Sequence, residues 1–226
     1  MSYSMLGLTF CLFLNLGEPT FLKAAKPFTI GNVHGGLVVQ LGAGETKTVV
    51  RLSHTGRYVI HVLDPDSSKT ERVRKVLKTD GVYGLAFAET LTDPAHLPYT
   101  ENIVNVVRLK SLGNMPLAEV LRVLVPRGAL LALPGAGPNM SKLKAAGFDS
   151  ISRTKDGALI ARKPWPKNMD TWSHPRHAAN GNAVSQDTAV GPPERVRWVA
   201  AAMSEVEGLV TDEGRNFYGG VLARDS

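Results

Sequence analysis

The stretch VVQLGAGE, Val38 to Glu45, constrains this chain more than any other. An apolar run, Leu37 to Val39, leads through Leu41 into Gly42, Ala43 and Gly44. A short apolar run entering a glycine turn predicts a buried strand followed by the start of a helix. Two glycines one residue apart let backbone approach a ligand closely, because no Cβ stands in the way. The helix that follows offers free N–H groups and the positive end of its dipole, which suit an anionic group. The run Tyr58 to Leu63 predicts a second strand, ending at Asp64. An acid at a strand tip about 20 residues past the glycines is placed to accept hydrogen bonds from a ribose diol. The arrangement is that of a nucleoside site. A nicotinamide-type turn needs a third glycine where Lys47 stands, so a standard dinucleotide turn is disfavoured.

Three further segments, taken with the glycine turn, narrow the class. The glycine turn resembles the first motif of class I S-adenosylmethionine-dependent methyltransferases, hydrophobic-x-LGxGxG, with Thr46 in place of the third glycine. TDPAHLPYTENIVNVV, residues 92–107, is similar to that family's D-x-x-x-LP-[FY] signature running into a fourth strand. PLAEVLRVLVPRGALLAL, residues 116–133, resembles its E-x-x-R-V-L-x-P-G-G passage from helix to strand, with Arg127 in place of the first glycine. AAGFDSISRTKDGALIARKP resembles its closing segment and terminal hairpin. The resemblance implies a doubly wound, mostly parallel α/β sheet with helices on both faces over residues 29–164. It implies S-adenosylmethionine as cofactor, held by Gly42, Ala43 and Gly44 along its methionine and ribose portions and by Asp64 at the ribose hydroxyls. It places Asp93 and the backbone near Ala95 along the adenine, with Leu63 and Leu97 as apolar walls. Asp93 also reads as a turn residue before Pro94, and the two readings stand side by side. Asn105 stands where the family carries Asp, which removes a negative charge expected on the cofactor side. No Asp/Asn-Pro-Pro-Tyr follows the fourth strand, which argues against a base-modifying amino-methyltransferase.

The 226 residues suffice for one domain and a tail. Net charge is +6, yet no dense Lys/Arg block with interleaved aromatics marks a nucleic-acid surface. The single cysteine, Cys11, rules out an internal disulfide and a cysteine-rich zinc site. Residues 1–28 read as a leader. Met5 to Leu16 is apolar, too short for the ~20 residues of a membrane-spanning helix and of the length of a signal-peptide core. The expectation is an exported or periplasmic protein, and a cytoplasmic one if the leader is retained.

Within the domain, helices are expected over 45–54, after Ser67 or Ser68, over 116–125 and over 140–146. Further strands are expected over 83–88, 103–107 and 129–133, and as a hairpin of 148–153 with 159–162. Glu119 and Arg122 are expected to pair on a helix surface. Residues 165–226 read as a linker and an irregular tail. W-x-H at Trp172 to His174, a GNA turn and VGPP resemble the entry to a quinoprotein-type (PQQ-binding-like) β-propeller, of which this tail would hold only the lead-in and part of one blade. One blade cannot bury its faces alone, so the chain reads as the front of a longer protein. His174 and His177, with Asp170 and Asp187 nearby, match no known metal cage and read as polar loop residues.

Two functions follow. The first is methyl transfer from S-adenosylmethionine to an unknown acceptor, which needs a positioned nucleophile and no conspicuous catalytic side chain. The second is a degenerate, non-catalytic module serving binding or scaffolding beside a propeller. A nucleotide-dependent oxidoreductase ranks third.

Overall fold

The computed structural model describes residues 29–188, 210–212, 215–218 and 222–225. The leader and the VGPP segment lie outside the described residues. A seven-stranded sheet carries the domain, with β1 Gly36–Leu41, β2 Tyr58–Asp64, β3 Ala86–Thr90, β4 Val104–Leu109, β5 Leu124–Ala132, β6 Asp149–Arg153 and β7 Leu159–Arg162. Its order is β3-β2-β1-β4-β5-β7-β6. The first five strands are parallel neighbours, and β7 runs antiparallel to both β5 and β6. A doubly wound, mostly parallel sheet is the fold expected from sequence.

Among the described residues four helices cover the two faces: α1 Thr46–Ser53, α2 Ser67–Thr79, α3 Leu117–Val123 and α4 Met140–Ala145. Strand alternation divides the core between them. Val38, Ile60, Val62 and Val106 face α1 and α2, meeting Val49, Leu52, Val73 and Leu77. Val39, Leu41, Leu63, Val107 and Leu109 face the other way, meeting Val120, Val123 and Leu143 of α3 and α4. Between β3 and β4 the chain runs as an irregular link over residues 91–103. Leu97 and Tyr99 of that link pack onto the same core.

Several boundaries differ from the sequence expectation for local reasons. Asp66, not a serine, caps α2, because its side chain accepts from the N–H groups of Ser68 and Lys69. Tyr83 forms only an isolated bridge, and β3 begins at Ala86. Strand β4 extends to Leu109, two residues further than expected. Strand β5 begins at Leu124 and passes a bulge where Arg127 adopts φ 63°.

Glu119 and Arg122 need a correction. They are not a surface pair. Glu119 is buried, and its carboxylate accepts from the backbone N–H of Leu97 at 2.8 Å and from two guanidinium nitrogens of Arg122 at 2.7 Å. The link over 91–103 lies across this face of α3 and is fastened to it through that carboxylate. Arg122 also donates to the Tyr99 carbonyl at 2.8 Å, a second tie to the same link.

In the tail, β8 Val210–Asp212, β9 Arg215–Tyr218 and β10 Leu222–Asp225 form a three-stranded antiparallel sheet. Thr211 exchanges hydrogen bonds with the backbone of Trp172. Among the described residues no helix is long and apolar enough to cross a membrane.

Candidate functional site

Strand order reverses at β1. The chain runs from β1 outward to β2 and β3, then returns to place β4 on the other side of β1. Open α/β sheets bind ligands outside the carboxyl ends of the strands at such a reversal. A cleft of about 180 Å³ opens there. It is lined by Leu41 and Gly42 from the end of β1, Leu63, Asp64 and Pro65 from the end of β2, and Ser111 to Met115 after β4. Leu91 and Pro94 of the link close one side.

Local chemistry explains the turn. Gly42 and Gly44 adopt φ 97° and 141°, conformations that L side chains rarely take. Asp64 is buried and fastens the turn from the neighbouring strand. Its Oδ2 accepts from the Ala43 N–H at 2.6 Å, and its Oδ1 accepts from the Asp66 N–H at 2.9 Å. An ionised carboxylate has about four lone-pair sites, so two remain for hydroxyl donors. Asp64 therefore holds the turn and retains acceptor capacity at the edge of the cleft.

A second brace lies behind the turn. Parallel register sets Gln40 beside Arg108. Arg108 Nη1 donates to Gln40 Oε1 at 2.6 Å, and Gln40 Nε2 donates to the carbonyls of Gly42 and Gly44 at 3.1 and 2.8 Å. Arg108 Nη2 closes the network on the Glu45 carboxylate. Arg108 is thus a buried cation with a charged partner, as burial requires. Glu45 itself sits at φ 49°, so the backbone is left-handed as it enters α1.

Lys110 lies against the turn and does not line the cleft. A Cβ added to Gly42 would stand 3.2 Å from Lys110 Cβ. One added to Gly44 would stand 3.1 Å from both Cδ and Cε of Lys110 and meet its Nζ. The space left by the missing side chains is therefore taken up by the stem of an exposed lysine.

The remaining expected site residues are placed as follows. Gly42 and Asp64 line the cleft, whereas Ala43, bonded to Asp64, and Gly44 belong to the turn but are not among the lining residues. Asp93 is exposed; its carboxylate accepts from the Ala95 N–H at 2.8 Å and lies 3.6 Å from His96 Nδ1. That geometry is a turn closed over Pro94, and Pro94 rather than Asp93 lines the cleft. Leu97 is buried in the core under α3 and does not line the cleft. Asn105 is corrected. It sits near the start of β4, where its Oδ1 accepts from the Leu37 N–H at 2.8 Å and fills the space beside Gly36. This is the opposite end of the sheet from the cleft, so Asn105 has no bearing on the charge there.

Sequence reasoning missed Gln40, Arg108 and Lys110. A signal existed for the first two, since a glutamine and an arginine interrupt otherwise apolar central strands. Sequence reasoning also missed His61, buried on β2. Its Nδ1 is hydrogen-bonded to the Tyr99 hydroxyl, and its ring packs against Phe87 at 4.5 Å between centroids. Its Nε2 lies 3.4 Å from Glu89 Oε2 without forming a hydrogen bond. Burial holds the imidazole below its ordinary pKa, opposed by the Glu89 carboxylate. Burial, and then Glu89, raise the Tyr99 hydroxyl far above its own.

In the tail, His177 Nε2 lies 2.7 Å from Asp170 Oδ2, and the Ser173 hydroxyl is 2.9 Å from His174 Nδ1. These pairs involve different histidines and form no relay. Among the described residues no group of three or more His, Cys, Asp or Glu could hold a metal ion.

No family model matches the chain, and no curated protein matches it. Solved structures do. A protein of Methanococcus maripaludis assigned as an S-adenosyl-L-methionine-dependent methyltransferase is similar at TM-score 0.50 and 14% identity, over 60% of this chain and 80% of that one. The antibiotic-resistance methyltransferase Kmr is similar at TM-score 0.45 and 18% identity, over 60% of this chain and 90% of that one. The [4+2]-cyclase SpnF is similar at TM-score 0.45 and 20% identity, over 52% of this chain; the chain spans 53% of its length. At 14% identity the likeness to the Methanococcus maripaludis protein concerns architecture alone and leaves chemistry to the site. The seven-stranded sheet and its helices form a Rossmann-like, methyltransferase-type fold.

Proposed function

We propose that the domain binds S-adenosylmethionine in the cleft between the ends of β1, β2 and β4 and passes its methyl group to an acceptor. One observation carries the reading: Asp64 is fixed to the glycine turn at the strand-order reversal, with lone pairs to spare for a ribose diol. When bound, the cofactor supplies an activated methyl on a sulfonium. The chain's own part is to bind and orient. Asp64 holds the sugar, the glycine turn admits the tail closely, and Leu41, Leu63 and Leu91 form dry walls. Positioning of this kind contributes through proximity rather than through an acid or base.

A second reading has its own support. The cleft of about 180 Å³ is smaller than the roughly 300–1,000 Å³ usual for small-molecule sites, and Lys110 rests on the turn. Both observations favour a module that has lost turnover and serves binding or scaffolding. Calorimetric titration with S-adenosylmethionine and S-adenosylhomocysteine separates the two. Binding that is lost in Asp64→Ala supports the first reading; no heat at millimolar ligand with the parent chain rejects it. The export expected from the leader and a propeller neighbour for the tail are proposed on the sequence alone.

A further inference from the structure

We infer that His61 and Tyr99 form a proton-operated latch on the link over residues 91–103, and that a second proton on His61 loosens the wall this link gives the cleft. The latch is tested without ligand; that it regulates an adenosyl site rests on the reading proposed above.

Over residues 94–99 three side chains tie the link to the rest of the domain. The Glu119 carboxylate accepts from the Leu97 N–H, Arg122 donates to the Tyr99 carbonyl, and the Tyr99 hydroxyl meets Nδ1 of His61. Glu119 and Arg122 pair with each other, which holds the Glu119 carboxyl below 4.5 and so charged above that pH. The tie that titrates nearer neutral pH is the one at His61.

Nε2 of His61 is the informative atom. It is buried, makes no hydrogen bond and lies 3.4 Å from Glu89 Oε2. A lone pair facing a carboxylate would be repelled, so Nε2 carries the proton of the neutral ring and Nδ1 accepts from the Tyr99 hydroxyl. Burial keeps that hydroxyl protonated, and hence a donor. A second proton enters on Nδ1, the atom that holds Tyr99. Donor then faces donor, and the tie is lost. The Glu89 side chain is 59% exposed and has room to close onto a charged Nε2–H. Protonation therefore exchanges the tie to the link for a pair with Glu89.

The other neighbours of the ring leave this exchange undisturbed. Val39 of β1 lies beside it in register, and Phe87 of β3 stacks on it. Arg122 and Glu119 of α3 act on the backbone of the link, at Tyr99 and Leu97. His96, the other histidine of the link, is exposed and lies 3.6 Å from Asp93.

A hydrogen bond between neutral groups is worth about fivefold in an equilibrium, so losing it raises the open population of the link by that factor. The cleft of about 180 Å³ belongs to the closed link, which walls it with Leu91 and Pro94. A ligand that enters through the open form gains apparent affinity in proportion to the open population.

The test is backbone hydrogen exchange over residues 95–103 of the full chain, read by mass spectrometry from about pH 7.5 to about pH 4.5. Tyr99→Phe lacks the tie at every pH, so the ratio of the two rates cancels the intrinsic pH dependence of exchange. The parent is expected to exchange about fivefold slower than Tyr99→Phe at the neutral end and equally fast at the acid end. The midpoint should fall below 6.5. A ratio that ignores pH overturns the latch. His96→Gln should keep the response; its loss there assigns the titration to His96 and overturns the latch as well. Glu89→Gln should move the midpoint to lower pH, and an unmoved midpoint overturns the exchange of partners. S-adenosylhomocysteine, titrated calorimetrically, should bind the parent about fivefold more tightly at the acid end, measured relative to Tyr99→Phe. An affinity ratio that ignores pH while exchange follows it overturns the coupling to the cleft. No binding to either chain overturns the adenosyl reading, and hydrogen exchange still decides the latch.

Discussion

Asp64→Asn is the most informative single change, because the carboxylate has a duty that precedes any ligand. In the structure its two oxygens accept two backbone N–H groups, from Ala43 at 2.6 Å and from Asp66 at 2.9 Å. An asparagine supplies one oxygen and one NH2. Whichever way the amide is turned, one of those backbone donors faces another donor. The change removes a hydrogen bond to a charged group, about 1.5–3 kcal/mol, and weakens the other to a neutral bond. The orphaned N–H adds a cost that partial access to water reduces. The total is about 2–4 kcal/mol. For a chain of this size a loss of ~3 kcal/mol lowers the melting temperature by about 6–12 °C. The assay is thermal unfolding followed by circular dichroism, with no ligand present. Asp93→Asn serves as the control. Asp93 is exposed and closes only its own turn, so its melting point should stay within about 2 °C of the parent. If Asp64→Asn melts as close to the parent as Asp93→Asn does, the carboxylate does not hold the turn and the reasoning fails. In the parent chain, ligand binding then adds a second readout. Under the proposed adenosyl reading, loss in Asp64→Asn of an acceptor for a ribose hydroxyl weakens binding roughly tenfold to a hundredfold.

The remaining predictions concern the supports around the cleft. Glu119→Ala should destabilise by about 2–3 kcal/mol in urea unfolding, below the ~3–5 of a fully buried pair because Arg122 is 35% exposed. The Arg122 hydrogen bonds hold the Glu119 carboxyl below its ordinary value of 4.5, so the stabilisation it gives is present above about pH 4.5 and lost as pH falls below that. Burial holds His61 below 6.5, so the unfolded chain takes up more protons near that pH; stability should fall as pH drops from 6.5 through the folded value, and His61→Phe should flatten that slope in denaturation series at pH 5 and 7.5. Gly44→Ala should cost about 1–3 kcal/mol from its φ of 141° alone, and pairing it with Lys110→Ala should recover only the part due to contact, as a double-mutant cycle on melting would read.

How much of this was legible in the sequence depends on whether a contact is local. The glycine turn, the strand leading into it and Asp64 at the next tip could be read because each is coded within a few residues. The parallel alternation that separates Val38 from Val39 could be read from the apolar runs. Lys110 could not. Its position over Gly44 depends on the pairing of Leu41 with Leu109, a register between strands 68 residues apart. Gln40 and Arg108 meet through the same register. Asn105 went astray because β4 was expected to stop at Val107. With two more residues on the strand, Asn105 moves to the far end of the sheet. Glu119 and Arg122 show a different limit. Spacing of i and i+3 predicts that they meet, and they do, but it cannot say that residues 91–103 will be laid across them.

The far end of the sheet has a consequence for where this domain can be trimmed. Arg162 reaches the Arg127 and Gly31 carbonyls, and Lys163 Nζ reaches the carbonyls of Arg122 and Leu124 and the side chain of Asn102. Burial depresses the Lys163 ammonium's pKa, so these acceptors replace water around a charge that has been drawn inward. A protease or a cloning primer that removes these two residues would uncouple the entry into the first strand from the exit of the last. The cleft, at the other pole, would then sit on a scaffold whose seam had been opened from behind.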